Sequence, residues 1–293
     1  MNRPVAARES VGGLLEEGRR GLLATPFGAA TREALLLLGR VLGQSEAQLL
    51  AHPELAVPPA AAAAFRRLLA RRLRGEPVAY LVGEKEFYGR RFAVDERVLI
   101  PRPETEHLVE AALALALPPG PRILDVGTGS GCLAVTLALE LPGSWVVASD
   151  LSPAALAVAA ANARRLGAAE QVAPVAADLL AGIDPGRFDL LVCNPPYVDR
   201  RDAPALSPEV CAFEPHLALF SPGAGDSTLA HLFAQCGRGL RTGVPLVVEI
   251  GYGQLEAVRR HAAAAALELI ETREDYSSIP RVAVLRRSPG TRP

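Results

Sequence analysis

The stretch Phe188 to Tyr197, FDLLVCNPPY, is an apolar run that ends in an asparagine, two prolines and an aromatic residue. Consecutive prolines cannot continue a central strand and each fixes its own φ, so Pro195 and Pro196 must lead the backbone off the sheet in one rigid shape with its carbonyls preset. The Asn194 side-chain oxygen and the Pro195 carbonyl can then each accept one N–H of a target NH2 group. An amide or exocyclic aromatic amine is a poor nucleophile because its lone pair is delocalised. Gripping both hydrogens favours pyramidalisation and aims that lone pair at an electrophile. Tyr197 can stack on such a planar group. No strong base is required beforehand, because the proton becomes acidic only after transfer.

A second constellation is ILDVGTGSG, Ile123 to Gly131, an apolar strand running into a loop with glycine at alternate positions and then a helix. Without Cβ atoms, Gly127, Gly129 and Gly131 let the backbone turn sharply and approach a ligand beside a helix N-terminus. The dinucleotide pattern GxGxxG fails, since Cys132 stands at its third glycine, which argues against a nicotinamide dehydrogenase. Asp125 ends the first strand and Asp150 the next, 25 residues on. A carboxylate at that second place can accept both hydroxyls of a ribose. Tight-turn glycines with a capping acid would share these residues. The combination DxGxGxG plus a second-strand acid resembles the cofactor half of class I methyltransferases. That resemblance implies S-adenosyl-L-methionine, leaving as S-adenosyl-L-homocysteine, held by Asp125, Gly127, Thr128, Gly129, Ser130, Gly131 and Asp150, with Asn194 alongside. It also sets Asp178 over the adenine and the Leu179 backbone at the ring edge; by itself Asp178 reads more often as a loop or helix-capping residue, and its place at the end of the third strand is what points to the adenine.

These motifs need a scaffold. From Glu104 the pattern alternates: helix (Glu106 to Leu117), strand (Arg122 to Val126), helix (Gly131 to Glu140), strand (Trp145 to Asp150), helix (Pro153 to Leu166), then strands Val172 to Ala176, Leu190 to Cys193, Leu246 to Ile250 and Val282 to Leu285. Short apolar strands separated by helices predict a doubly wound α/β fold with a mostly parallel sheet. Residues 1–76 show helical spacing only (Leu35, Leu36, Leu38, then Phe65, Leu68, Leu69, Leu73) and predict a small helical bundle. Residues 77–103, with Phe87, Tyr88 and Phe92 around Gly83 and Gly89, predict a β-hairpin linker to the catalytic domain at 104–293.

A chain of 293 residues suits two domains, and 49% hydrophobic with 22% charged residues suits a soluble globular protein. Cys132, Cys193, Cys211 and Cys236 form no CxxC pair, so neither zinc nor a disulfide framework is expected and a cytoplasmic location is. No metal is expected. The N-terminus lacks an apolar signal region, and the apolar stretch 131–149 is broken by Glu140, Pro142 and Gly143, so no membrane span is predicted. A net charge of -1 argues against stable binding of nucleic acid. Residues 1–75 nonetheless hold eleven Arg against six Glu, concentrated at Arg66, Arg67, Arg71, Arg72 and Arg74, which is either a solvated helix face or a docking surface.

The Asn-Pro-Pro-aromatic loop is shared by adenine-N6 and glutamine-N5 methyltransferases. Together with GEPVAYLVGEKEFYGRRFAV (Gly75 to Val94), LIPRPETE (Leu99 to Glu106), the FEP of Phe213 to Pro215 and VEIGYGQ (Val248 to Gln254), the chain resembles release factor glutamine methyltransferases along nearly its whole length. LIPRPETE separates it from the sister family that acts on a ribosomal protein. The resemblance implies a class I methyltransferase domain of Rossmann-like fold behind an N-terminal helical domain that recognises the substrate. The substrate would be the glutamine of the GGQ loop of class 1 peptide chain release factors, the enzyme a monomer, and Pro103, Glu104 and Thr105 one wall of the active site with Asn194, Pro195, Pro196 and Tyr197. Taken alone, PRPE reads as a linker ending at a helix N-terminus. DYSSIPRV, near the end, lacks the glycine the family pattern places after its Asp-Tyr pair. An adenine methyltransferase of DNA or RNA would need to extrude a base and grip phosphates. A non-catalytic docking module would not need Asn194, Tyr197 and three loop glycines.

Overall fold

Short apolar runs buried along their whole length suit strands of a sheet covered on both faces, and Leu190–Cys193 and Pro245–Glu249 pair in that way in the computed structural model, which describes residues 9–26 and 29–288. The chain divides into two units: 1–83 with 207–213, and 84–206 with 214–293.

The first unit contains α1 (Val11–Leu23), α2 (Ala30–Leu42), α3 (Glu46–Ala51), α4 (Pro59–Leu73) and α5 (Val78–Val82). Ser10 caps α1 by accepting from the Gly13 N–H, and Ser45 with Gln48 forms a capping box on α3. Leu14, Leu37, Leu38, Leu49 and Phe65 fill its core. Arg72 is buried there and donates to both oxygens of Glu33 (2.8 and 3.0 Å), to the Glu76 carbonyl and to Glu209 in the short helix Pro208–Phe213. Arg66 pairs with Glu9 and Glu17, and Arg71 with Glu76. Three of the five clustered arginines are therefore matched by carboxylates of their own unit, and the basic face is smaller than the charge count suggests. The boundary falls at Gly83, not 76, because α5 precedes the hairpin and ends on Gly83 at φ +84°.

In the second unit, β1 (Glu84–Phe87) and β2 (Arg90–Ala93) form the hairpin, and Phe87 and Phe92 meet edge to face at 6.1 Å within the main core. The hairpin is thus part of this body and not a separate linker. β3 (Arg122–Val126), β4 (Trp145–Asp150), β5 (Val172–Ala176), β6 (Leu190–Cys193), β7 (Pro245–Glu249), β8 (Leu267–Glu274) and β9 (Pro280–Arg287) form one sheet in the order β5-β4-β3-β6-β7-β9-β8. The first five in that order are parallel; β9 runs against both neighbours. Side chains alternate between two cores: Ile123, Leu190 and Val192 on one face, Leu124, Val126 and Leu191 on the other. Helices include α6 (Glu106–Leu113), α7 (Cys132–Glu140), α8 (Pro153–Arg165), α9 (Ser227–Gly239) and α10 (Leu255–Ala264). The helix expected to reach Leu117 stops at Leu113, since Leu117 precedes Pro118 and Pro119, which disfavour helical backbone before them.

The strand order reverses between β3 and β6, which are paired with Val126 opposite Cys193. Their carboxyl ends open the crevice where ligands bind in this class of sheet, and the glycine loop and Asn194 emerge there side by side. Among the described residues, no helix is long and apolar enough to cross a membrane.

Candidate active site

Beyond β3, the loop is anchored by Gly127 and Thr128, whose N–H groups both donate to the Ser149 carbonyl at 2.8 Å. Gly127, Gly129 and Gly131 adopt φ of +74°, +54° and +80°, backbone that side chains rarely tolerate. A Cβ on either of the first two would meet no atom within 4 Å, whereas on Gly131 it would stand 3.0 Å from the Ala159 methyl. The first two glycines thus keep space clear for a ligand, and the third lets α8 pack against the loop.

Asp125 lies beneath this loop, fully buried, and is not on the cavity wall. Its Oδ2 accepts from Thr128 Oγ1 (2.6 Å) and the Ala134 N–H (3.1 Å), while Oδ1 has no hydrogen-bond partner. Burial, helped by the charge of Asp150, pushes its carboxyl up to about 7, against the bonds from Thr128 and Ala134. Asp150, at the end of β4, accepts from the Gly129 N–H (2.9 Å) and the Ser152 N–H (2.8 Å), one on each oxygen. A carboxylate oxygen takes two donors, so each retains capacity for a hydroxyl. Asp178 is exposed at the cavity, and Leu179 beside it takes φ +51°, a strained conformation for a non-glycine residue.

The cavity, of about 770 Å³, runs from Gly127–Ser130 past Asp150, Asp178 and Leu179 to Asn194 and Thr105. This is ample for a small-molecule site. A cradle that a Cβ would fill, a ribose-competent carboxylate and an open asparagine fit a nucleoside-bearing cofactor.

On the far wall, Asn194 Nδ2 donates to Thr105 Oγ1 (3.1 Å), and Thr105 Oγ1 donates to Glu249 Oε2 (2.6 Å). The Tyr197 hydroxyl reaches the other oxygen of Glu249 at 3.4 Å. Glu249 closes β7 and is 1% exposed; burial pushes its carboxyl up to about 7 and the nearby Glu104 adds to this, while Thr105, Tyr197 and Arg281 oppose it. Burial and the Glu249 charge in turn raise the Tyr197 hydroxyl.

Residues 13–83 match the family described as PrmC N-terminal domain, and residues 105–209 that described as Methyltransferase small domain. A release factor glutamine methyltransferase of Bordetella pertussis is 45% identical over 266 residues, 90% of this chain and 97% of that protein. Its counterpart in Nitratidesulfovibrio vulgaris is 39% identical over 292 residues, 98% of this chain and 99% of that protein. The chain belongs to the release factor glutamine methyltransferase family. In fold alone, it is also similar to a methyltransferase from Pyrococcus furiosus (TM-score 0.52, 15% identity, 74% of this chain and 96% of that one). Family members use S-adenosyl-L-methionine, which the cavity suits.

Within this family site the structure sorts the expected residues. Gly127, Thr128, Gly129, Ser130, Asp150, Asp178, Leu179, Asn194, Pro196 and Thr105 line the cavity; Asp125, Gly131, Pro103, Glu104, Pro195 and Tyr197 do not. Asp125 and Gly131 act from behind the loop. Tyr197 packs against Gly251, where a Cβ would come within 2.9 Å of its ring, and points its hydroxyl at Glu249. Four further residues hold the walls. Gln254 Nε2 donates to the carbonyls of Tyr197 (3.1 Å) and Gly225 (3.0 Å). The buried Glu214 accepts from the Ile100 N–H and Arg102, bracing LIPRP. Asn162 bridges the Ser130 carbonyl (2.8 Å) to Ala93 in β2. Glu249 is the fourth. Glu214, Glu249 and Gln254 sit inside FEP and VEIGYGQ, which the sequence marked without a role; Asn162 is a lone amide on the buried face of an alanine-rich helix, its one available signal.

Proposed function

We propose that this chain transfers the methyl group of S-adenosyl-L-methionine to the side-chain amide nitrogen (N5) of the GGQ glutamine of class 1 peptide chain release factors, and so modulates translation termination. The observation that carries the reading is the juxtaposition, at the adjoining ends of β3 and β6, of the open glycine cradle with an asparagine whose amide nitrogen is already engaged. Relatives at 39–45% identity supply the substrate.

When bound, S-adenosyl-L-methionine supplies an electrophilic methyl on a positively charged sulfur. Gly127 to Ser130 and Asp150 would hold it, with Asp178 and Leu179 on the side of its adenine and Asp125 and Gly131 supporting the loop from behind. Asn194 Oδ1 accepts one N–H of the target amide and the Pro195 carbonyl the other, drawing the nitrogen out of conjugation with its lone pair toward the glycine loop. Pro196 fixes the turn, and Tyr197, Pro103, Glu104 and Thr105 support this wall. The proton leaves once the nitrogen has been methylated, so no base need be poised beside it.

The helical unit is assigned to recognition of the release factor. The pairing of Arg66, Arg71 and Arg72 with carboxylates of their own unit lowers the net charge that a phosphate backbone would meet, which favours a protein partner over stable nucleic acid; the chain is read as a cytoplasmic monomer that binds no membrane.

Asn194→Ala tests the chemistry. With cofactor saturating, single-turnover transfer to a release factor should fall by about a hundred- to a thousandfold, the usual effect of losing one preorganised partner of the transition state, while cofactor affinity stays within about threefold. Transfer within about threefold of the unsubstituted enzyme would remove Asn194 from the mechanism.

A further inference from the structure

We propose that Glu249, through Thr105, sets which way round the Asn194 side-chain amide points, and is thereby a positioning residue for methyl transfer. The inference rests on the amide-methylation reading above and adds to it a residue outside the cavity.

The argument is one of hydrogen-bond polarity. An ionised carboxylate only accepts, and a threonine hydroxyl has one hydrogen to give. The 2.6 Å contact commits that hydrogen to Glu249 Oε2, so Thr105 Oγ1 faces Asn194 with lone pairs alone. Only the NH2 end of the asparagine amide can meet it. The oxygen end, Oδ1, is left for the cavity, where it can accept an N–H of the target. Turned the other way, Asn194 would set oxygen against oxygen at Thr105 and present its own donors to a target that also donates. Such a site holds the reactive nitrogen in no defined pose.

Nothing about the fold requires a carboxylate here. Glu249 is buried and makes no ion pair of its own among the described residues, and Arg281, whose charge acts on it, is bonded to Asp275. Burying a charge without a counter-ion is costly, and apolar neighbours on β7 such as Val247 and Val248 show what the strand otherwise prefers. The residues concerned come from three distant parts of the chain, Thr105 before α6, Asn194 after β6 and Glu249 at the end of β7, yet form one chain of bonds ending at the cavity.

Glutamine at 249 keeps the shape but not the polarity. Its single oxygen can serve Thr105 or the Tyr197 hydroxyl, and its NH2 donates to the other. With Tyr197 taking the oxygen, Thr105 must give its hydrogen to Asn194 and the amide reverses. The test is a double-mutant cycle on single-turnover methyl transfer to a release factor at pH 8.5, cofactor saturating, with Glu249→Gln, Asn194→Ala and the pair. Glu249→Gln should slow transfer at least about tenfold, the scale of one misplaced hydrogen bond, with cofactor affinity within about threefold. In the Asn194→Ala background it should change the rate by less than about twofold, because Glu249 then has nothing left to orient. Thr105→Val should lose rate as Glu249→Gln does, and Thr105→Ser, which restores the hydroxyl, should recover most of that loss, an arm that leaves the buried carboxylate untouched. Equal loss from Glu249→Gln in both backgrounds, or a rate within threefold of the parent for both Glu249→Gln and Thr105→Val, would overturn the proposal. Failure of the unsubstituted enzyme to methylate the release factor would instead sink the function on which it rests.

Discussion

Two carboxyls, Asp125 and Glu249, are buried behind the cavity wall. Both are pushed up to about 7 from usual values of 3.8 and 4.5, chiefly by burial, so the folded protein holds their protons more tightly than the unfolded chain does. The stability this contributes is present in full below the unfolded values and is lost as pH rises through about 7. Carboxylates held low by arginines, such as Glu84 and Asp95, act in the opposite sense but at lower pH, where they begin to take up protons. The unfolding midpoint in urea should therefore fall between pH 5.5 and 8.5, and fall less in Glu249→Gln, which has no proton to lose. Parallel midpoints for the two proteins across that range would show that Glu249 is not the buried titrating group described. Asn194 and the glycines were readable in advance because their chemistry is local to their own motifs. Glu249 was not, because its role depends on a threonine 144 residues away, and no spacing along the chain encodes that contact.

At the scale of elements, β3, β4, β5 and β6 follow the sequence reading to the residue: β3, β4 and β6 are short apolar inner strands with little freedom over where they start, and β5, on the sheet edge and largely exposed, takes its bounds from pairing with β4. β8 escaped because Leu267–Glu274 mixes charge with apolar residues on an edge, exposed along much of its length and broken by register shifts. α5 escaped because one turn of helix between Pro77 and Gly83 resembles a linker in composition. The missing glycine of DYSSIPRV has a structural answer. Ser278 occupies the turn between β8 and β9 at φ +58°, the left-handed backbone glycine would adopt freely, and Asp275 holds it by accepting from the N–H groups of Ser277 (2.8 Å) and Ile279 (3.1 Å). Removing the Cβ relieves that strain, so Ser278→Gly should stabilise the protein by about 1 kcal/mol in chemical denaturation, with transfer rates unchanged. A destabilised Ser278→Gly would mean the serine side chain contributes more than its backbone costs.

For the whole molecule, every residue that lines the cavity lies in the unit formed by 84–206 and 214–293, and none lies in the helical unit. A chain beginning at Glu84 should keep cofactor affinity within about threefold by calorimetry, which also reports that the remaining body is folded. Its methylation of intact release factor should drop at least about tenfold, equivalent to roughly 1.4 kcal/mol of recognition. Full-rate methylation by that chain would take recognition away from the helical unit. The central claim is that the amide nitrogen of one glutamine receives the methyl group, and one measurement addresses it directly. A class 1 release factor incubated with this enzyme and S-adenosyl-L-methionine is digested and its GGQ-containing peptide fragmented in a mass spectrometer. The glutamine side chain of that peptide should be heavier by one methyl group, and unmodified when Asn194→Ala enzyme is used for the same time. A methyl group found on another residue, or none on any peptide while calorimetry shows the cofactor bound, would contradict the account.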